Sequence, residues 1–150
     1  MPGITGIPIA IKYATFDQKK DPDFMFKSII ISEDKETISE EVMKHAHPDL
    51  KNNQEFLLKV IEAAAFIDPS KIMGHVPSHF KSNPEFMLAA TERSPQTIRY
   101  ISDSLKSNPA FILDANKITP IARECIDASL KNNPVFMSEL TKKVSYLGVV

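Results

Sequence analysis

The stretch that decides the fold reads Asn83-Pro84-Glu85-Phe86-Met87-Leu88-Ala89-Ala90-Thr91-Glu92-Arg93-Ser94-Pro95. Asn83 is a favoured N-cap residue, because its side-chain oxygen accepts a hydrogen bond from an amide in the first turn of a helix. Pro84 suits the first helical position, where its missing N–H costs nothing. Glu85 then places a negative charge near the positive end of the helix dipole. We therefore predict a helix that begins at Pro84 and ends before Ser94-Pro95, where the same device opens a second helix.

The beginning of this stretch belongs to a phrase that returns along the chain. The phrase starts with a lysine and ends five residues later with a phenylalanine. Its copies are Lys51–Phe56, Lys81–Phe86, Lys106–Phe111 and Lys131–Phe136, with a weaker one at Lys19–Phe24. Successive phenylalanines are 32, 30, 25 and 25 residues apart, a period that indicates short helical repeats. The prediction is an all-α fold, namely an α-solenoid of tandem helical hairpins of about 25–32 residues in a single domain.

The predicted array occupies residues 1–150, and each hairpin pairs a helix A with a helix B. It has a partial repeat over residues 7–20, repeats that start near residues 21, 53, 83, 108 and 133, and a tail over residues 144–150. Helices A are expected to start at Pro22, Gln54, Pro84, Pro109 and Pro134, and helices B near Ser39, Pro69, Pro95 and Pro120. An exposed, charged turn is expected over residues 32–37. The last helix A lacks a following repeat, so the tail either folds back on it or pairs two chains as a homodimer.

Two columns of equivalent residues have structural roles in this prediction. The core column contains Phe24, Phe56, Phe86, Phe111 and Phe136. The capping column contains Asn53, Asn83, Asn108 and Asn133. Both roles follow from the position of each residue in the phrase, since the asparagine precedes a helix and the phenylalanine lies on its apolar stripe.

Composition limits the class of function. A net charge of −1 argues against binding nucleic acid or membrane surfaces through bulk electrostatics. Cys125 is the only cysteine, so no internal disulfide can form and nothing indicates an oxidising compartment. The N-terminus has no basic region before its apolar stretch, so we expect no signal peptide and no membrane span. The cytoplasm is the expected location, and specialised secretion stays open.

A third column, six residues before each lysine of the phrase, is chemically varied. It contains Tyr13, His45, His75, Tyr100 and Cys125. A column that only packed should be more uniform, so we hypothesise that helices B carry a binding face for another protein or peptide. The residues proposed for this face are Lys44, His45, His75, Arg99 and Tyr100. The predicted function is a non-enzymatic binding module, acting as a scaffold or as an inhibitor of its partner.

Two other functions stay open. A metal-binding or hydrolytic protein would use His45, His75 and His79, since the i, i+4 spacing of the last two suits chelation from one helical face. Pro77 lies between those two and should distort that turn. The lysines of the phrase could instead bind nucleic acid, although lysines that end helices also compensate the helix dipole. No glycine-rich phosphate loop, Cys-x-x-Cys pair or G-x-S-x-G elbow is present, so neither enzyme activity nor a cofactor is predicted.

The segment Thr97–Ala115 resembles the tandem repeat catalogued as domain of unknown function 4116. That repeat reads roughly A-L-x-Y-A-S-x-x-L-K-x-D-x-x-x-V-L-x-A-V. Ile11–Ala14 and Ala128–Lys131 match parts of the same pattern, and the resemblance extends from Ile7 to about Lys143. The family usually has a glycine at the hairpin turn, where this chain has Ser94-Pro95 or Thr119-Pro120. The resemblance implies a helical repeat fold and, because the family has no agreed activity, no catalytic residues.

Overall fold

A computed structural model of the chain describes residues 11–65 and 68–141. Within these two ranges all regular secondary structure is helical and no strand occurs, which confirms the predicted all-α class. The partial repeat expected over residues 7–20 is described from Ile11 onward. The predicted tail over residues 144–150 lies outside the described residues.

The described chain consists of helices of eight to eleven residues and shorter helices of three to six residues. The α-helices are α1 (Phe16–Lys20), α2 (Pro22–Ile31), α3 (Lys35–His45), α4 (Pro48–Lys51), α5 (Gln54–Ala63), α6 (Ser70–Met73), α7 (Ser78–Lys81), α8 (Pro84–Arg93), α9 (Asp103–Lys106), α10 (Pro109–Ile118), α11 (Ala128–Lys131) and α12 (Pro134–Thr141). Three further segments are 3-10 helices, at Ile11–Tyr13, Pro95–Tyr100 and Pro120–Cys125. The long helices α2, α5, α8, α10 and α12 begin at the residues expected for helices A. A one-turn helix precedes each of them.

The chain divides into two compact units, Met1–Pro77 and Ser78–Val150. In the first unit, α2 packs against α3 and α5, and α3 packs against α6. In the second unit, α10 packs against α8 and α12, and the 3-10 helices Pro95–Tyr100 and Pro120–Cys125 pack against each other. Each of these 3-10 helices also packs on the long helix that precedes it. Within each unit, the helices predicted as helices A therefore lie beside one another. The elements that take the place of helices B also lie beside one another.

The start of each long helix is fixed by its cap and by the phenylalanine that follows. Side-chain oxygens accept from the phenylalanine amides in the pairs Asp21–Phe24 (3.3 Å), Asn53–Phe56 (3.1 Å), Asn83–Phe86 (3.2 Å), Asn108–Phe111 (3.1 Å) and Asn133–Phe136 (3.0 Å). Phe24 is half-buried, whereas the other four rings are buried. The cap therefore sets both the first residue of the helix and the direction in which the ring enters the core.

The predicted helix B is divided in the structure, and the reason is a hydrogen bond from the residue four before one phrase to the lysine of the preceding phrase. The helix expected from Pro95 to Leu105 is broken by extended backbone at Ile101 and Ser102. The Ser102 N–H donates to the carbonyl of Lys81 at 3.1 Å. The same bond joins Asp127 to Lys106 (3.0 Å) and His47 to Lys19 (2.9 Å). Because the amides that open α4, α9 and α11 are used in this way, the chain leaves the preceding helix before each of these three one-turn helices.

The expected charged turn over residues 32–37 is also corrected by the structure. α3 begins at Lys35, four residues before Ser39, because Asp34 accepts from the Thr37 amide at 3.1 Å and caps the helix. Ser32 is buried. Hydrogen bonds from Thr37 hold the pKa of the Asp34 carboxyl below its usual value. An aspartate cap thus starts the helix earlier than the apolar pattern indicates.

Candidate peptide-binding surfaces

A groove of about 660 Å³ lies between α10 and α12 in the second unit. Its apolar lining includes Pro109 and Leu113 from α10, and Pro134 and Val135 from the first turn of α12. Val135 is 79% exposed. A groove of this size is within the range that accommodates small ligands, so several apolar side chains of a partner can enter it.

The polar lining of the groove comes from α12 and its cap. Asn133, Ser138 and Glu139 line it together with the buried ring of Phe136. The side-chain oxygen of Asn133 is engaged with the Phe136 amide, which holds the first turn of α12 in place. Ser138 and Glu139 are exposed. The groove thus combines an apolar floor with a hydroxyl and a carboxylate.

A buried asparagine fixes α12 against α10. Asn116, on α10, is 1% exposed. Its Nδ2 donates to the carbonyl of Leu140 at 3.3 Å, and its Oδ1 accepts from Nε of Arg123 at 3.1 Å. One side chain therefore ties together α10, α12 and the 3-10 helix Pro120–Cys125.

An equivalent but smaller groove, of about 90 Å³, lies between α2 and α5 in the first unit. Pro22 and Phe26 take the places of Pro109 and Leu113, and Asn53, Glu55, Phe56 and Lys59 those of Asn133, Val135, Phe136 and Glu139. The Nζ of Lys59 lies 5.9 Å from the centroid of the Phe26 ring. The larger ring and the lysine above it account for the smaller volume.

In the first unit, the residues expected on the B face lie among acidic neighbours. Lys44 is exposed, with its Nζ 3.8 Å from Glu41. The Nε2 of His45 lies 3.4 Å from the other oxygen of the same carboxylate. His75 is half-buried in the turn after α6. The structure therefore brings Lys44 and His45 together around Glu41.

In the second unit, the expected B-face residues are Arg99 and Tyr100, which end the 3-10 helix Pro95–Tyr100. A guanidinium nitrogen of Arg99 lies 3.0 Å from Glu124, and its Nε donates to Gln96 at 2.8 Å. Tyr100 is half-buried. Exposed ion pairs of this kind contribute about 0–1 kcal/mol, so Arg99 is held in its own unit by contacts that a partner could replace.

The predicted chelation by His75 and His79 from one helical face is not seen. His75 lies in the turn after α6, and His79 lies in α7 with its ring centroid 4.3 Å from that of Phe80. Pro77 separates the two, and it has no amide hydrogen with which to continue a helix. Over residues 11–65 and 68–141, no group of three or more histidine, cysteine, aspartate or glutamate side chains could hold a metal ion.

Cys125 has the surroundings of a structural thiol. It is 8% exposed at the end of the 3-10 helix Pro120–Cys125, and its Sγ–H donates to the carbonyl of Ile121 at 3.7 Å. Burial raises the pKa of the Cys125 thiol, against a smaller opposing effect of Arg99. The thiolate, which is the reactive form, is therefore scarce at neutral pH.

We expect Cys125 in the folded chain to react with iodoacetamide at least about tenfold more slowly than in the chain unfolded in guanidinium chloride, at the same neutral pH. The physical reasons are burial and the raised pKa of the thiol. Intact-mass spectrometry over a time course measures both rates. Equal rates in the two states would contradict this description of the site.

Three of the five lysines that begin the copies of the phrase accept hydrogen bonds through their backbone carbonyls. The carbonyls of Lys19, Lys81 and Lys106 accept from the backbone amides of His47, Ser102 and Asp127, respectively. Lys51 donates from Nζ to the carbonyl of Lys44 at 3.2 Å, at the end of α3. The backbone bonds do not depend on the lysine side chain, and the Lys51 side chain contacts the end of α3.

Leu113 and Val135 are not among the binding residues expected from the sequence. The available signal lies in the fifth position of the phrase, where Glu55 and Glu85 place acids in the first turn of a helix. Val135 puts an apolar residue at that position, although the helix dipole favours an acid there. Val135 therefore departs from the acidic residue found at this position in two other copies, and this departure can be seen in the sequence.

Comparison with known proteins gives a family without a known function. The family model described as "Domain of unknown function (DUF4116)" matches residues 60–106 and again residues 83–131. These overlapping matches confirm the family resemblance over residues 60–131. No curated protein and no solved structure matches the chain. Among the described helices, none is both long enough and apolar enough to cross a membrane.

Proposed function

We propose that this chain, which matches the DUF4116 family over residues 60–131, is a non-enzymatic module that binds a segment of another protein. In this proposal its repeats of about 25–32 residues stack as an α-solenoid, and the groove between α10 and α12 is the docking site. The module would serve as a scaffold or as an inhibitor of the partner that it holds.

Two recurring features support the solenoid. Each of the helices α2, α5, α8, α10 and α12 starts with an aspartate or asparagine cap and places a phenylalanine at the same position. In the second unit, the backbone bonds from Ser102 to Lys81 and from Asp127 to Lys106 join the lysine of one phrase to the residue four before the next lysine. The bond from His47 to Lys19 does the same in the first unit. Repeats joined through equivalent contacts are what a nearest-neighbour array requires.

The observation that carries the docking proposal is the apolar floor of the groove between α10 and α12. Val135 is 79% exposed, so its side chain gains little from folding. Burying such a side chain beneath a partner contributes about 1.5–3 kcal/mol. Leu113, Pro109 and Pro134 extend the same surface.

The occupant that this groove fits is an amphipathic segment with an apolar side chain next to a lysine or arginine. The apolar side chain would cover Leu113 and Val135. Glu139 lines the groove and already interacts within the chain, so the positive charge of the partner would compete for this carboxylate. Complementary charge of this kind favours the correct partner over others.

The proposal is tested by selecting random peptides displayed on phage against the immobilised full chain. Binding of the enriched peptides to soluble chain is then measured by fluorescence anisotropy. Val135→Ser should weaken binding by about tenfold, the effect of losing one apolar contact. Arg99→Ala and Tyr100→Ala, which alter the B-face residues of the second unit, should leave it unchanged.

Three results would count against the proposal. One is the absence of any enriched peptide, and another is equal binding to the wild type and to Val135→Ser. The third is loss of binding in Arg99→Ala or Tyr100→Ala but not in Val135→Ser. That last result would favour docking through Arg99 and Tyr100, the B-face residues of the second unit, instead.

A further inference from the structure

One buried side-chain oxygen among the described residues makes no hydrogen bond. Ser39, in the second turn of α3, is 0% exposed, and its Oγ has no partner within residues 11–65 and 68–141. Two other helical hydroxyls, those of Ser28 and Thr91, donate to the carbonyl four residues before them at 2.9 and 2.7 Å. Because an unsatisfied buried hydroxyl destabilises the conformation that contains it, the presence of Ser39 requires an explanation.

The position of Ser39 in the repeat is a capping position. Ser39 lies twelve residues before the lysine of the next phrase, and so do Ser94 and Thr119 in the second unit. Ser94 and Thr119 are buried, and each directly precedes a 3-10 helix. The Thr119 hydroxyl caps its helix by accepting from the Ile121 amide at 3.2 Å. Ser39 therefore occupies the position from which a helix is capped, although α3 already begins at Lys35.

A second serine holds the same position when the repeat is counted from its other end. Ser32 lies eight residues after a repeated phenylalanine, as Ser94 does. It is buried, and its Oγ accepts from the amide of Asp34, two residues later, at 3.2 Å. Ser32 and Ser39 are seven residues apart, which is close to two turns of an α-helix. The first repeat exceeds the 25-residue repeats by the same seven residues, so it contains the capping position twice.

We infer that α3 has a second conformation, a shorter helix over residues 40–45 that the Ser39 hydroxyl caps, in which residues 33–38 form a loop. The hydroxyl would accept from the amide of Glu41 or Val42, as an N-cap serine does. A loop of six residues is of ordinary length, and residues 40–45 keep their place in both conformations. The first unit would then contain an element with two alternative starts. This inference does not depend on the groove between α10 and α12.

The longer helix is the conformation observed, because its first turn makes contacts that the shorter helix would lose. Asp34 accepts from the Thr37 amide at 3.1 Å, and Ile38 is buried. The ammonium group of Lys35 donates to three carbonyl oxygens at the end of α2, each at 3.0 Å, namely those of Ile29, Ile30 and Ser32. A cation at the end of a helix also complements its dipole. Removing one of these contacts should therefore populate the shorter helix.

The test measures amide hydrogen exchange in the full chain and compares Ser39→Ala in two backgrounds. In the otherwise unchanged chain, Ser39→Ala removes an unsatisfied hydroxyl, so exchange at Val42 and Met43 should slow by about fivefold. Asp34→Ala removes the cap of the longer helix. Exchange at Ile38, whose amide donates to the Asp34 carbonyl at 3.2 Å, should then accelerate by at least about fivefold. Val42 and Met43 should keep their protection in Asp34→Ala, because Ser39 caps the helix that contains them.

The effect of Ser39→Ala should change sign in the Asp34→Ala background. There the substitution removes the remaining cap, so exchange at Val42 and Met43 should accelerate by about fivefold. Ser28→Ala alters a helical serine of the same unit whose hydroxyl is already bonded, and its effect should be the same in both backgrounds. If circular dichroism shows that Asp34→Ala does not fold, Lys35→Met provides the second background, because it removes the contacts of Lys35 with the end of α2.

Two results would overturn the inference. One is an effect of Ser39→Ala on Val42 and Met43 that has the same sign in both backgrounds, which is expected if the serine is only a misplaced hydroxyl. The other is an equal acceleration at Ile38, Val42 and Met43 in Asp34→Ala, which would show that α3 has no second cap.

Discussion

Replacing Phe86 with alanine is expected to lower the free energy of unfolding by about 3–5 kcal/mol. The ring is 0% exposed and lies 4.8 Å from the ring of Phe80. Its backbone amide is also held by the Asn83 cap at 3.2 Å. Because the cap and the start of α8 fix this position, the surrounding helices cannot collapse fully into the space that the ring leaves. Urea denaturation followed by circular dichroism measures the loss.

Two matched variants control for the loss of an apolar side chain. Val135→Ala removes an apolar group that is 79% exposed, and it should change the free energy of unfolding by less than about 0.5 kcal/mol. Phe24→Ala alters the equivalent position of the first unit, where the ring is half-buried, and it should cost less than Phe86→Ala. If Phe86→Ala proved as mild as Val135→Ala, the assignment of the phenylalanine column to the core would be wrong.

Replacing Asn116 with alanine is expected to cost about 1–3 kcal/mol of stability. The substitution removes the donor to the Leu140 carbonyl and the acceptor for Arg123. The Leu140 backbone would then lose a partner inside the protein, where water does not readily replace it. Hydrogen exchange should accelerate in α12, and binding of selected peptides in the groove should weaken with it.

The neighbouring substitutions separate the two bonds of Asn116. Asn116→Asp keeps an acceptor for Arg123 but removes the donor to Leu140, so it should still accelerate exchange in α12. Asn132→Ala alters an exposed asparagine of the same unit, and it should be nearly neutral. Unchanged exchange in α12 for Asn116→Ala would show that this side chain does not fix the last helix.

The long helices could be predicted because their signals are local. Asn83-Pro84 and Asn108-Pro109 each place a cap directly before a first helical residue, and the hydrogen bonds involved span two or three residues. The break at Ile101 and Ser102 could not be predicted in the same way. It depends on a bond from Ser102 to Lys81, which lies outside any local pattern.

The contacts within the candidate site could not be predicted from local sequence patterns either. The partner of Arg99 is Glu124, one repeat further along the chain, so the sequence could suggest an exposed arginine but not its ion pair. Leu113 and Val135 come from different long helices and meet only because α10 packs against α12. The sequence gives the identity of these side chains, but it does not show that they line one groove, because that depends on the packing of α10 against α12.

The most direct measurement is a nuclear magnetic resonance titration of the isotope-labelled full chain with a peptide enriched in the phage selection. If the groove between α10 and α12 is the docking site, the amide signals of Leu113, Val135 and Glu139 should shift in a saturable manner, while those of Arg99 and Tyr100 stay in place. Shifts centred on Arg99 and Tyr100, or no saturable shift at Leu113, Val135 and Glu139, would contradict it.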